Sequence, residues 1–297
     1  MIFKSSTDLI GNTPMLKFHC DELEYVNIYV KMESLNPSGS IKDRACISLI
    51  NRAIEDGELN KSKTILDASS GNMACAISFF GKVLGYKTKV ICNSKLTEDK
   101  RQFIKYFGAE LSMHGDITIE GNRFCARIAK ENPQEYCFLD QLHNPANPLA
   151  SYRTLGPEIL TSLPDVNAIF GSMGSGGSMC GTFRYFRENK PNTMLFTTQA
   201  ASGTKIPGTG GFVDGDYITP FITEMQNECL YDESFLIHQK EAEERTTQLA
   251  SQGIFVGFQG GGVLHSCIVA IKKYNIKGDV VIVVGDSGWK NMEKLIK

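Results

Sequence analysis

Lys63-Thr64-Ile65-Leu66-Asp67-Ala68-Ser69-Ser70-Gly71-Asn72-Met73 opens the stretch that decides the fold, residues 63–92. Residues 63–67 read as a strand, a small polar turn follows, residues 72–84 carry helical periodicity, and residues 87–92 form a second apolar run. A strand, a helix and a strand in succession imply a crossover and hence parallel pairing, because a tight turn joins only antiparallel neighbours. The unit repeats outward from there. Residues 40–55 read as a helix on the N-terminal side; toward the C-terminus come a helix at 96–107, a strand at 109–113, a helix at 120–131 and a strand at 136–139. Pro145 and Pro148 interrupt the pattern. A second set follows, with strands near 166–170, 194–198, 235–238 and 280–284 and helices near 177–187, 239–252 and 261–273. This order predicts an α/β protein of two lobes, each a mostly parallel sheet flanked by helices, with a cleft between them. Ligands of such sheets sit beyond the carboxyl ends of the strands, where loops and helix N-termini converge.

Composition narrows the function classes. The 297 residues are 42% hydrophobic and 22% charged, as in an ordinary soluble globular chain, and the formal net charge is -2. That balance argues against nucleic acid or an anionic membrane surface as a partner. No apolar run approaches the roughly 20 residues that span a bilayer, and the first eight residues lack a signal-peptide core, so a cytoplasmic location is expected. Nine cysteines are scattered without Cys-x-x-Cys, which indicates neither a disulfide framework nor a zinc site. His19, His114, His143, His238 and His265 are too dispersed to nominate a metal ligand set.

Three turns have the composition of a ligand site. Ala68-Ser69-Ser70-Gly71-Asn72-Met73 joins a strand to a helix, where unpaired N–H groups and the helix dipole favour a carboxylate or phosphate; an ordinary loop with an Asn or Ser cap fits the same residues. Phe170-Gly171-Ser172-Met173-Gly174-Ser175-Gly176-Gly177-Ser178 lets backbone amides approach an anion closely, although a tight loop without a ligand also fits. It does not fit the G-x-G-x-x-G register of a dinucleotide site. Val284-Gly285-Asp286-Ser287-Gly288 ends the last strand with polar residues that can reach the cleft or simply turn. Lys42, within Asn36-Pro37-Ser38-Gly39-Ser40-Ile41-Lys42-Asp43-Arg44, stands at a helix start. Such a lysine is ordinarily a solvated surface residue, but in a cleft it is an amine fit for Schiff-base chemistry.

Taken in order, these segments resemble the cysteine synthase and cystathionine β-synthase family of fold type II pyridoxal-phosphate enzymes over nearly the whole chain. Ile10-Gly11-Asn12-Thr13-Pro14 is similar to the family's opening motif, the segment around Lys42 to that of the Schiff-base lysine, and residues 69–73 to the loop that grips the substrate carboxylate. Gly174, Ser175, Gly176, Gly177 and Ser178 resemble the phosphate loop, residues 140–148 bring Gln141, and Lys205-Ile206-Pro207-Gly208-Thr209-Gly210 resembles a cleft-lining loop. The resemblance implies pyridoxal 5'-phosphate bound by Lys42, by Asn72 at its phenolic oxygen and by the phosphate loop. It implies substrate held by Ser69, Ser70, Gly71, Asn72, Met73 and Gln141, no metal, and a homodimer. It also implies a larger cofactor-anchoring lobe of residues 1–38 and 142–297 and a smaller mobile substrate lobe of residues 39–141.

Departures from the family pattern carry their own expectations. Ser69 and Met73 stand where the family's loop has threonine at both ends, so a hydroxyl contact is missing or replaced and the choice of donor is expected to differ. The family delivers a neutral hydroxyl to the pyridine nitrogen, which makes Ser287 the expected partner and Asp286 the alternative. The implied reaction is β-replacement on an amino acid through an aminoacrylate intermediate, with activated serine and sulfide giving cysteine. The alternatives are a cysteine-consuming replacement or elimination that releases hydrogen sulfide, and a catalytically silent regulatory binding protein. Asp232 is a candidate base for activating water, against a purely structural hydrogen bond.

Overall fold

The computed structural model describes residues 2–295. It contains ten strands among those residues: β1 Met15–Phe18, β2 Val26–Met32, β3 Thr64–Ala68, β4 Lys87–Cys92, β5 Glu110–Met113, β6 Tyr136–Phe138, β7 Ala168–Ser172, β8 Met194–Ala200, β9 Glu233–Ile237 and β10 Gly278–Val284. They form two sheets. The smaller has four strands in the order β5-β4-β3-β6, all parallel, and the larger has six in the order β1-β2-β10-β7-β8-β9, parallel except for the β1–β2 pair. Two mostly parallel sheets, the α/β architecture that the strand and helix order predicts, are therefore what this sequence adopts.

The stretch 63–92 behaves as its pattern predicts. The helix Asn72–Leu84 buries Met73, Ala74, Ile77 and Phe80 in the apolar cluster of the smaller sheet. Burial of Ile77 and Phe80 contributes about 1.5–3 kcal/mol each. Gly81 is required by close approach, since a Cβ there would lie 2.0 Å from Thr88 Cγ2 on β4.

Three features were not in the sequence reading. β1 and β2 precede the first assigned helix, and β2 lies beside β10 although some 250 positions separate them in the chain, as in the pair Ile28–Val280. Pro145 and Pro148 do not end the regular structure: Pro145 is the cap of the helix Ala146–Arg153 and Pro148 sits in its first turn, where an absent N–H costs nothing. The helices Leu155–Ser162 and Pro220–Asn227 were likewise unassigned. No described helix is long and apolar enough to cross a membrane.

Candidate active site

A cleft of about 560 Å³ is lined by Lys42, the turn at residues 69–73, Gln141, Gly174 to Gly176, Ser178 and Asp286. Lys42 is the first residue of the helix Lys42–Glu55, and successive helical side chains diverge by roughly 100°. Lys42 Nζ reaches Ser175 Oγ at 3.2 Å. Asp43 turns the other way and accepts hydrogen bonds from the Ser38 amide and hydroxyl. Arg44 enters a buried network, donating to Glu33 at 2.7 and 2.8 Å and to Glu158 at 2.7 Å, while Lys31 Nζ also donates to Glu158 at 2.7 Å. Removing one member of such a buried pair costs about 3–5 kcal/mol, so this network holds the lysine helix firmly against the larger sheet.

Burial pushes the Lys42 ammonium down to about 8, opposed by the negative charge of Asp67. Asp67 itself is pushed up by burial to about 8; it accepts from the Ala68 amide at 2.7 Å and the Gln141 amide at 3.2 Å. One buried carboxylate thus pins both the turn after β3 and Gln141. Gln141 Nε2 then donates to the Ala68 carbonyl at 2.8 Å. In the turn, Ser69 Oγ accepts from the Gly71 amide at 3.1 Å and Ser70 Oγ accepts from the Asn93 amide at 2.5 Å. Met73 is 1% exposed, its side chain sunk in the apolar cluster even though the residue borders the cleft.

Across the cleft, β7 runs into the helix Gly177–Asn189. Gly176 has φ +83°, a left-handed conformation that a side chain resists, and a Cβ there would meet Ile222 Cγ1 at 2.6 Å. A Cβ on Gly177 would lie 2.4 Å from Asn147 Oδ1, and Asn147 Nδ2 donates to the Gln141 carbonyl at 2.7 Å, which ties the two loops together. Among the described residues no protein group accepts from the Gly174, Ser175 or Gly176 amides. Orphan amides at a helix start beside a lysine fit a phosphate. Two more orphans fit a polar ring beside it. Asn72 Nδ2 donates to Asp286 Oδ2 at 2.9 Å, which leaves Asn72 Oδ1 and Asp286 Oδ1 buried without partners. These residues match the needs of pyridoxal 5'-phosphate.

Two expected site residues are not brought in. Asp232 accepts from the Leu195 amide at 2.7 Å and from Arg187 at 2.8 Å, so it braces the start of β9 against β8 and does not face the cleft. Ser287 Oγ accepts from the Trp289 amide at 3.3 Å as the cap of the turn Gly288–Asn291, and it is Asp286 that faces the cleft. The chain leaves β10 at Val284, so strand alternation no longer sets which of the two points inward. Gln259 was missed: its Oε1 accepts from the Gly285 amide at 2.6 Å and its Nε2 donates to Ser172 Oγ at 2.8 Å. Gly257-Phe258-Gln259-Gly260-Gly261-Gly262, a polar residue in a glycine-rich helix start, was the available signal. Thr97, Lys100 and Tyr217 also line the cleft without having been singled out.

The model of a family described as "Pyridoxal-phosphate dependent enzyme" matches residues 6–286. Cysteine synthase B of Escherichia coli (strain K12) is 32% identical over 283 residues, covering 94% of this chain and 91% of that protein. A solved hydrogen sulfide-producing enzyme from Fusobacterium nucleatum is 28% identical with a TM-score of 0.89, covering 98% of each chain. An O-acetylserine dependent cystathionine beta-synthase from Helicobacter pylori is 27% identical with a TM-score of 0.86, covering 99% of this chain and 98% of that one. A likeness that runs through nearly the whole chain, on a cleft already furnished for the cofactor, places this protein in the cysteine synthase and cystathionine β-synthase family of fold type II enzymes, as a pyridoxal-phosphate-dependent enzyme of sulfur amino acid metabolism.

Proposed function

We propose that the chain catalyses β-replacement on an amino acid, with activated serine and sulfide giving cysteine. The observation that carries this reading is the placement of the Lys42 amine at Ser175 of the glycine cup, opposite the carboxylate-gripping turn at residues 69–73. Bound there, pyridoxal 5'-phosphate supplies a carbonyl carbon that takes up the substrate amine and a ring that accepts the electron pair left when the α-proton departs. Gly174, Ser175, Gly176, Gly177 and Ser178 would hold its phosphate, and Asn72 would meet its phenolic oxygen. Gln259 and Asp286 furnish the polar wall beside the ring. Lys42 Nζ in its neutral form takes the α-proton and later returns it, and its lowered pKa makes that form accessible near neutral pH. Ser69, Ser70, Gln141 and the amides of the turn orient the substrate carboxylate. Closure of the smaller sheet over the cleft excludes water while the β-substituents exchange.

A second reading, cysteine consumption with release of sulfide, is favoured by the likeness to the hydrogen sulfide-producing enzyme. A yellow holoenzyme whose cofactor is fixed by borohydride to Lys42 is expected, and Lys42→Ala should lose both that linkage and turnover. Assay of O-acetylserine plus sulfide against cysteine alone separates the readings. Cysteine formation supports the first, sulfide release without cysteine formation supports the second, and normal turnover by Lys42→Ala refutes both.

A further inference from the structure

The wall of the cleft supplied by the smaller lobe carries a buried cation that neither the cofactor nor the donor's carboxylate explains. Lys100 is 6% exposed and Thr97 7%, and both line the cleft. Thr97 precedes the helix Glu98–Tyr106, yet its hydroxyl makes no capping bond and Oγ1 is buried without a partner. Lys100 Nζ has no hydrogen-bond or ion-pair partner among the described residues. Its electrostatic neighbours are Asp286 and Cys75, which favour its charged form, and Lys290 and Lys294, which repel it. Asp286 Oδ2 is shared between Asn72 and Asn291, at 2.9 and 3.1 Å, and its Oδ1, though unpartnered, makes no bond to Lys100. The other nearby acids face elsewhere: Glu293 accepts from the Glu98 amide at 2.9 Å and Asp99 from the Glu293 amide at 3.0 Å. Lys95 and Lys294 add positive charge to the same wall. On the far side Asp214 and Asp216 are engaged by the Gly203 and Gly211 amides, at 2.7 and 2.9 Å.

The Lys100 side chain is largely enclosed while its ammonium, which no protein acceptor bonds, stays open to the cleft, and burial pushes Lys100 below its ordinary value against the attraction of Asp286. Thr97, at the cap of the helix that carries Lys100, likewise has a hydroxyl without a partner. Cation and donor together suit an oxyanion, and the two anions already accounted for go elsewhere: the cofactor phosphate to residues 174–178 and the substrate carboxylate to residues 69–73 and Gln141. What remains is the exchanging β-substituent. Sulfide and acetate-ester donors carry no free oxyanion there; a phosphorylated leaving group or a carboxylate-bearing thiol does.

We propose that Thr97 and Lys100 form a third anion subsite, which receives a phosphate or carboxylate carried by the departing or incoming β-substituent. This rests on the β-replacement reading of the same cleft. Two ratios of kcat/KM in the holoenzyme separate the sources: O-phosphoserine over O-acetylserine as donors with sulfide, and 3-mercaptopropionate over 2-mercaptoethanol as nucleophiles. A charge-assisted hydrogen bond amounts to roughly a ten- to hundredfold effect, so Lys100→Met should lower one of the ratios by that factor and Lys100→Arg should largely restore it. A fall in the first ratio identifies a leaving-group phosphate, and a fall in the second a nucleophile carboxylate. If both ratios stay within about threefold of the parent, the subsite is refuted. Loss of the borohydride-fixed cofactor in Lys100→Met would also refute it, by showing that the lysine supports the cofactor pocket instead. If Lys100→Met does not fold, Thr97→Val is compared in the same way, with a smaller fall expected. Should the parent turn over no donor, β-replacement itself fails. Titration of the holoenzyme with inorganic phosphate then decides the subsite, by a Kd that Lys100→Met weakens about tenfold or leaves unchanged.

Discussion

The supply of neutral Lys42 can be measured directly. An exposed lysine near its usual pKa of about 10.4 is neutral in roughly 0.04% of molecules at pH 7, whereas a pKa of about 8 leaves about a tenth neutral, a gain of roughly two hundredfold. The assay is competitive acetylation of cofactor-stripped protein with limiting acetic anhydride across a pH series, read by mass spectrometry of the Lys42 peptide. A blocked free lysine labelled in the same tube is the reference. Access to the cleft scales the amplitude for Lys42 without moving its midpoint, so labelling should reach half its plateau near pH 8. Asp67→Asn should move the Lys42 midpoint lower still, because a neutral amide no longer attracts the ammonium and burial then acts unopposed. The variant should also lose about 1–3 kcal/mol of stability, since the carboxylate serves the Ala68 and Gln141 amides with separate oxygens and the new Nδ2 must face one of them. A Lys42 midpoint as high as that of the blocked free lysine, or an upward move in Asp67→Asn, would refute the electrostatic reasoning.

Gly176→Val should weaken cofactor binding by more than tenfold, because a side chain enters the cup at φ +83° and collides with Ile222; the strain costs the fold only about 1–3 kcal/mol. An unchanged cofactor dissociation constant would mean that another loop holds the phosphate. Asp232→Asn should change kcat by less than about twofold with any nucleophile while lowering thermal stability, because its carboxylate serves Leu195 and Arg187 away from the cleft. A loss of activity beyond about tenfold at unchanged stability would return Asp232 to the chemistry.

The sequence by itself determined what depends on local order. The alternation from residue 63 to residue 139 specified a parallel sheet because side-chain period and crossover length are properties of a short segment. The helix Asn72–Leu84 and strand Lys87–Cys92 carry the bounds their pattern implied. Lys42, the turn at 69–73 and the glycines at 174–177 were legible as well, since each is a run of unusual residue types with its own chemical logic. What crosses the chain was not. β2 finds its place only beside β10, and Lys42 is aimed partly by Arg44, whose carboxylate partners Glu33 and Glu158 lie on segments that no local pattern connects. Asp286 faces the cleft and Ser287 caps a turn because the strand ends at Val284, beyond which no period relates neighbouring side chains. Asp232 and Lys100 are both charged residues beside regular elements and look alike in sequence. One meets Arg187 near the surface and the other lines the cleft with no protein hydrogen-bond partner, because neighbours distant in the chain decide which charge is answered.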